Sequence, residues 1–380
     1  MGKRELLLIV AFAIAGAVAY QATAPPAAPN ERSFSFSGIL DKVRREMRGN
    51  RASVEETREA TLPVGRTVTE IRVANNYAEV TITGEDRPDV ESKFHVRSSA
   101  FDDAEAKSLM AQTRLQVDHA GPVLRLESKY PEPGSQTTRL TLKVPRRMIV
   151  NFEGGARRVT VTGVAGFTAQ GGRGEMVIRK VPGLATVTHR GGNVVIEDVG
   201  ALKLTARHCE TRVARVAGEA SFTLEGGELE ADALRGAIDV DARHADVALR
   251  KLQDAKGAMR VNAVSGSLRL EGLATEAKLD GRHTEIDIEM ARAAPVAVYL
   301  EGDEIITLTA PPGGFTLDAV VTQGHLTVPD EYESISVEQA KNGEEQQAHG
   351  AVGGGGPTIT LRAKHGRITV RSAEPANATR

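Results

Sequence analysis

The sequence predicts an all-β fold: a parallel β-solenoid of 17–18-residue coils behind an N-terminal cap that contains one helix. Three observations predict it. Val164, Val181, Val199, Val216, Leu234, Leu252, Leu273 and Ala291 fall 17, 18, 17, 18, 18, 21 and 18 residues apart. A fixed period of this length marks a stacked repeat, in which one unit cannot bury its apolar face and its neighbours complete the core. The same period carries other columns. Three residues before each stand Val161, Ile178, Ile196, Val213, Ala231, Leu249, Leu270 and Ile288, and a further column runs Ala169, Val187, Leu204, Phe222, Val240, Val261 and Leu279. Each unit therefore reads as a short strand, a six-residue turn, a second strand and a return, the early returns marked by Gly166, Gly183, Gly200, Gly218 and Gly236. The 38 glycines of the 380-residue chain suit a fold that turns tightly so often.

Composition narrows the function. With 48 basic against 50 acidic residues, the surplus of positive charge that phosphate backbones demand is missing, so nucleic acid is not an expected partner. Trp is absent and aromatics are 4%, which argues against stacking platforms for bases or sugars. A single cysteine, Cys209, excludes an intramolecular disulfide and every multi-thiolate metal site.

In chain order, Lys3 and Arg4 precede the apolar run Leu6 to Tyr20. Residues 1–24 read as an export signal, with Ala17-Val18-Ala19 as a small-residue cleavage site, or as a retained single-pass anchor. Residues 25–66 form a linker. It opens as a Pro/Ala spacer and carries a short basic helix over 39–51, with Lys42, Arg44, Arg45, Arg48 and Arg51. Residues 67–145 form the cap. Val68 to Val73 and Ala78 to Thr83 alternate around Asn75-Asn76, and Val90 to Arg97 is another strand. A helix over 102–114 has acids in its first turn and an apolar stripe of Ala104, Leu109, Met110 and Thr113. Strands at Leu115 to His119, Val123 to Ser128 and Arg139 to Val144 complete the cap. The array occupies 146–332. A C-terminal coil at 333–373 contains a polar, Gly-rich loop over 341–356 with no means of packing, then a closing strand pair about Lys364-His365-Gly366. Residues 374–380 are a disordered tail.

Leu140-Thr-Leu-Lys-Val-Pro145, Gly154-Gly155, Val159-Thr-Val161 and Val164-Ala-Gly166 carry a resemblance. So do Val73 to Val80, Ile359-Thr-Leu361 and Ile368-Thr-Val370. Over residues 67 to 372 the chain resembles a bacterial family whose members are called "putative adhesins", or β-strand-repeat proteins of unknown function. The resemblance implies a β-solenoid, usually right-handed, exported or membrane-tethered, and brings no catalytic residues with it.

The six-residue turns align as 170–175, 188–193, 205–210, 223–228, 241–246, 262–267 and 280–285. Stacked in register, neighbours stand about 4.8 Å apart. The fifth column is small throughout (Gly174, Gly192, Cys209, Gly227, Ala245, Gly266, Thr284), as a left-handed or crowded corner requires, and it accounts for Cys209 without reactivity. The fourth column brings His208, His244 and His283 onto alternate coils, roughly 9.6 Å apart. Zinc needs each nitrogen within about 2.1 Å, so no shared metal is expected. The sixth column is acidic (Glu175, Glu210, Glu228, Asp246, Glu285), and the third holds Arg190, Arg207, Arg243 and Arg282. These arginines are expected to bridge the acids in a lateral ladder; a divalent-cation stripe on the acids is the competing reading. Asp239, Asp241, Asp246, Asp280 and Glu285 could supply paired carboxylates for glycan chemistry. No catalytic, cofactor-binding or metal-binding residue is assigned. The function expected is a non-enzymatic, exported or membrane-tethered scaffold, an adhesin-like module at the periplasmic or outer face of the envelope. Its partner would be a protein or glycan, with membrane contact through residues 6–24 where these are not cleaved. The alternatives are a polysaccharide-active solenoid enzyme and a tethered envelope sensor.

Overall fold

The computed structural model describes residues 52–75, 78–131, 135–341 and 343–373. The signal or anchor, the basic helix at 39–51 and the tail at 374–380 lie outside the described residues. The fold is all-β, with every described strand in one 23-stranded sheet. Among the described residues no helix is long and apolar enough to cross a membrane.

In the array, β11 (Gly174–Val216), β12 (Ala220–Leu234), β13 (Ile238–Arg250), β14 (Met259–Leu273) and β15 (Ala277–Met290) pair in chain order, each parallel to the next. The spacing is realised as pairing: Leu204 faces Phe222, Phe222 faces Val240, Val240 faces Val261 and Val261 faces Leu279. All five are at most 1% exposed. The alternation of β12 shows why these residues form strands. Ala220, Phe222 and Leu224 turn inward, while Ser221, Thr223 and Glu225 point away; beyond the corner, Leu229, Ala231 and Leu234 are buried again. Each large side chain so buried contributes about 1.5–3 kcal/mol. The one step of 21 residues is absorbed by a 3₁₀ turn, Leu252–Asp254, which keeps Leu252 fully buried in its column.

Two left-handed corners recur along the array. One precedes the first apolar column, at Lys180, Asp198, Arg215, Ala233 and Lys251; the other is the fourth turn position, at His208, His244, Ser265 and His283. Their φ angles lie between 49° and 60°. The left-handed non-glycine residue of the six-residue turn is thus the fourth, and the fifth is small because it is crowded and, at Gly174, Gly192, Gly227 and Gly266, because its φ is also positive. A Cβ on Gly227 would stand 2.2 Å from the Cys209 carbonyl oxygen of the coil beside it.

At the N-terminal end the stacking order departs from chain order. The strands are β1 (Ala52–Pro63), β2 (Glu70–Ala74), β3 (Ala78–Glu85), β4 (Asp89–Ala100), β5 (Arg114–Ala120), β6 (Val123–Lys129), β7 (Ser135–Pro145), β8 (Ile149–Glu153), β9 (Arg158–Thr162) and β10 (Gly166–Gln170). β2 lies between β6 and β8, and β3 between β7 and β9, all parallel. β5 and β4 then close the two faces antiparallel, and β1 lies antiparallel along the whole of β4. Antiparallel strands end a parallel stack without leaving its last ladder open. The linker read over 25–66 is corrected here, because its last part is strand β1. Its half-buried positions are Ala52, Val54, Glu56, Arg58 and Leu62, too polar to show an apolar period. α1 (Asp103–Gln112) packs on β1 and β4. Asp102 caps it by accepting the Glu105 N–H at 2.8 Å, and Arg58 of β1 donates to the carbonyls of Thr113 and Met110 at its other end. The stripe is shifted from the one expected: Ala106 and Thr113 are buried and Ala104 is exposed.

The C-terminal end follows the same plan. It holds β16 (Val296–Glu301), β17 (Ile305–Thr309), β18 (Phe315–Thr322), β19 (His325–Thr327), β20 (Ile335–Gln339), β21 (Glu345–Val352), β22 (Thr358–Lys364) and β23 (Arg367–Arg371). The closing pair exists, but β22 lies between β16 and β18, and β23 between β17 and β19. The Gly-rich loop expected to be unable to pack contains β21, antiparallel to both β18 and β20, with Ala348 1% exposed. Backbone pairing needs no apolar side chains. Gly350 lets β20 approach, since a Cβ there would stand 2.2 Å from the Ser334 carbonyl oxygen.

Candidate functional site

The turn columns stack as the spacing predicts. Cys209, Gly227, Ala245, Gly266 and Thr284 pair in succession, as do Glu210, Glu228, Asp246, Ser267 and Glu285. Cys209 is 3% exposed; its thiol donates to the Arg207 carbonyl and accepts the Gly191 N–H, each at 3.2 Å. Burial raises its pKa. Thr284 does the same work in the same column, within reach of the Arg282 carbonyl at 2.9 Å and that of Ala263 at 3.1 Å. Both side chains tie a corner, and neither is presented to a substrate.

The exposed His208, His244 and His283 occupy left-handed corners on alternate coils. The His208 ring leans over Gly226, its Nδ1 2.6 Å from where a Cβ would stand, and His283 lies 3.7 Å from Glu304. Among the described residues no three His, Cys, Asp or Glu side chains are grouped to hold a metal ion. His189 is a different case, and sequence reasoning missed it. At 2% exposure it fills the second turn position, where the next coils place Ala206, Leu224, Ala242 and Ala263. Its Nε2 donates to the Gly174 carbonyl at 3.1 Å, its Nδ1 has no partner, and burial lowers its pKa. The signal was its parity: a second turn position faces inward whatever it carries.

The expected ladder from the third column to the sixth does not form. Arg207 pairs with Glu225 at 2.9 Å and Arg282 approaches Glu301 to 3.7 Å, each within the third column one coil on, while Arg243 approaches Asp241 of its own turn at 4.0 Å. Glu175 pairs with Arg158, Glu210 with Arg212, and Asp246 accepts from Ser267. The reason is the left-handed corner at the fourth position, which turns the third and sixth side chains onto different faces. Charge lacing does occur beyond the corner, where Arg212, Glu230, Arg250, Glu271, Arg269 and Asp287 alternate at 2.8–4.0 Å.

One corner gathers unpaired arginines from adjacent coils. Arg173, Arg190 and Arg207 lie on successive coils and line one open groove of about 590 Å³ with Gly174, Gly191 and His208. Arg173 and Arg190 are exposed, and neither side chain has a hydrogen-bonding or ionic partner among the described residues. The Arg173 stem passes 3.9 Å from where a Cβ on Gly191 would be, so the floor between the guanidinium groups is glycine backbone. Glu225, which also lines the groove, holds Arg207. Two free guanidinium groups over bare backbone can take up an oxyanion through charge-assisted hydrogen bonds.

No family model matches the chain, and no curated protein matches it. Solved structures do. A "putative adhesin" from Parabacteroides merdae is 10% identical, with 84% of this chain and 96% of that one covered and a TM-score of 0.32. A "putative adhesin" from Parabacteroides distasonis is 12% identical over 84% and 97%, with a TM-score of 0.30. A "putative lipid binding protein" from the same species is 11% identical over 85% and 98%, with a TM-score of 0.27. At TM-scores below 0.5 these matches carry no argument about this chain.

Proposed function

We propose that the chain is a right-handed β-solenoid scaffold, exported to the cell envelope, that binds a partner along one flank and performs no chemistry on it. The row structure of its outward face carries this reading. Thr205, Thr223, Asp241, Asn262, Asp280, Tyr299 and Arg362 stand side by side across seven strand segments. Rows of this kind make a long, level surface suited to an extended partner. A glycan-cleaving cleft needs acid and base converging on one bond. Here Asn262 stands between Asp241 and Asp280, and Asp246 and Glu285 lie beyond the corner. The apolar run at residues 6–20 behind Lys3 and Arg4 supports export.

Fractionation of C-terminally tagged protein, with N-terminal sequencing, tests the placement. Recovery with the envelope is expected; recovery in the cytosol with an intact N-terminus removes the reading. An uncleaved, membrane-held N-terminus would favour the sensor alternative. Incubation with polygalacturonate and measurement of new reducing ends tests the rest: none are expected, and their release would favour the enzyme.

A further inference from the structure

We infer that the corner formed by Arg173, Arg190 and Arg207 binds an acidic polysaccharide, whose carboxylate or sulfate groups are held by guanidinium groups on successive coils. The inference rests on the scaffold reading and gives it a ligand class.

Three features support it. Most arginines elsewhere along the array are engaged: Arg158, Arg179, Arg212, Arg215, Arg250 and Arg269 each pair with an acid. The exposed Arg157, Arg235 and Arg260 do not, and among the described residues they line no groove with a second unpaired arginine on the next coil. Arg173 and Arg190 face solvent unpaired in one groove. Arg173 lies beside Gly191, one residue out of step with Arg190, and bringing two like charges into one groove is unfavourable unless an anion is shared between them. The second feature is the match of repeats. Arginines one coil apart meet a polymer that carries one negative group per sugar unit, so successive groups can be engaged along the stack. Third, the strand leading into the corner presents hydroxyls on its outward side. Thr186, Thr188 and Thr205 bond no protein group through their side chains among the described residues, leaving them for sugar hydroxyls.

The groove does not suit a lipid surface, because no large apolar side chain lines it. The exposed Ile149 begins β8 and Leu184 precedes the Phe167–Ala185 pair, each several residues before its corner. Glu225 tunes the site by holding Arg207, so releasing that arginine should strengthen binding.

The test uses the full chain with polygalacturonate, dextran sulfate, uncharged dextran and phosphatidylglycerol vesicles as probes. Wild type is expected to bind both acidic polymers, to lose them as salt is raised and to ignore dextran. R173Q/R190Q should bind about a hundredfold more weakly, the loss of two charge-assisted contacts at roughly tenfold each. R235Q/R260Q removes the same charge from exposed positions elsewhere and should leave affinity unchanged, and E225Q should raise it about threefold. Thermal melting of each variant confirms that it is folded. The site is overturned if R173Q/R190Q binds like wild type, if R235Q/R260Q loses as much, or if vesicles are bound and the polymers are not. Any of these leaves the scaffold reading standing where the wild type still fractionates with the envelope; cytosolic recovery of the wild type removes that reading itself.

Discussion

Ala233 holds φ at 57°, a conformation that costs an L-residue about 1–2 kcal/mol and glycine little. The stack imposes it, because the corner recurs at the same place in the neighbouring coils. Ala233→Gly should therefore stabilise the protein by about 0.5–1 kcal/mol, the relief of strain exceeding the added unfolded-state entropy. A urea midpoint that fell instead would show the corner is unstrained. His189 gives the residue scale its pH dependence. Its folded pKa lies below the ordinary value near 6.5, so under acid conditions the unfolded chain takes up a proton that the folded chain refuses. Its contribution to stability is complete above the ordinary value and is lost as pH falls toward the lowered one. His189→Ala, which places there the residue found at Ala206 and Ala242, should flatten that limb. A melting temperature that drops between pH 7 and pH 5 as steeply in the variant as in wild type would refute the assignment. None of this was visible in composition, since a histidine at an inward turn position looks like those at the exposed fourth.

At the scale of the element, the ends of the stack are built by insertion. β22 and β23 complete two faces that β16 to β19 leave open, which makes the last residues of the fold internal to it. Ending the chain after Val352 should expose more than a terminal coil. Proteolysis with mass spectrometry should find cleavage from β16 onward, and continued protection of residues 296–327 would contradict the insertion. The period was legible in these elements and their neighbours were not: Ile359, Leu361, Ile368 and Val370 announce two inward-facing strands, but nothing local says which coil they join. β1 and β21 escaped notice for a related reason. Both are capping strands held by full-length antiparallel ladders, and their outward or half-exposed positions are filled by Glu, Arg and Gln.

At the scale of the whole molecule, the array is modular. Excising residues 220–237 would join Glu219 to Ile238, which stands in register with Ala220. The shortened chain should keep its strand-type circular dichroism and a cooperative melt, with a lower melting temperature as one coil interface is lost. Excising only 220–228 cuts a coil at its corner and should abolish the cooperative transition. A nine-residue deletion that melts as cooperatively as the eighteen-residue one would overturn the modular reading. By itself, the sequence determined the repeat: apolar residues at a fixed interval can be buried together only by stacking, so Leu204, Phe222, Val240, Val261 and Leu279 named their own column. Only the tertiary structure decided which charges meet and where the terminal strands insert. Those outcomes depend on backbone direction at the left-handed corners and on ladders between residues distant in sequence, and no spacing along the chain encodes either.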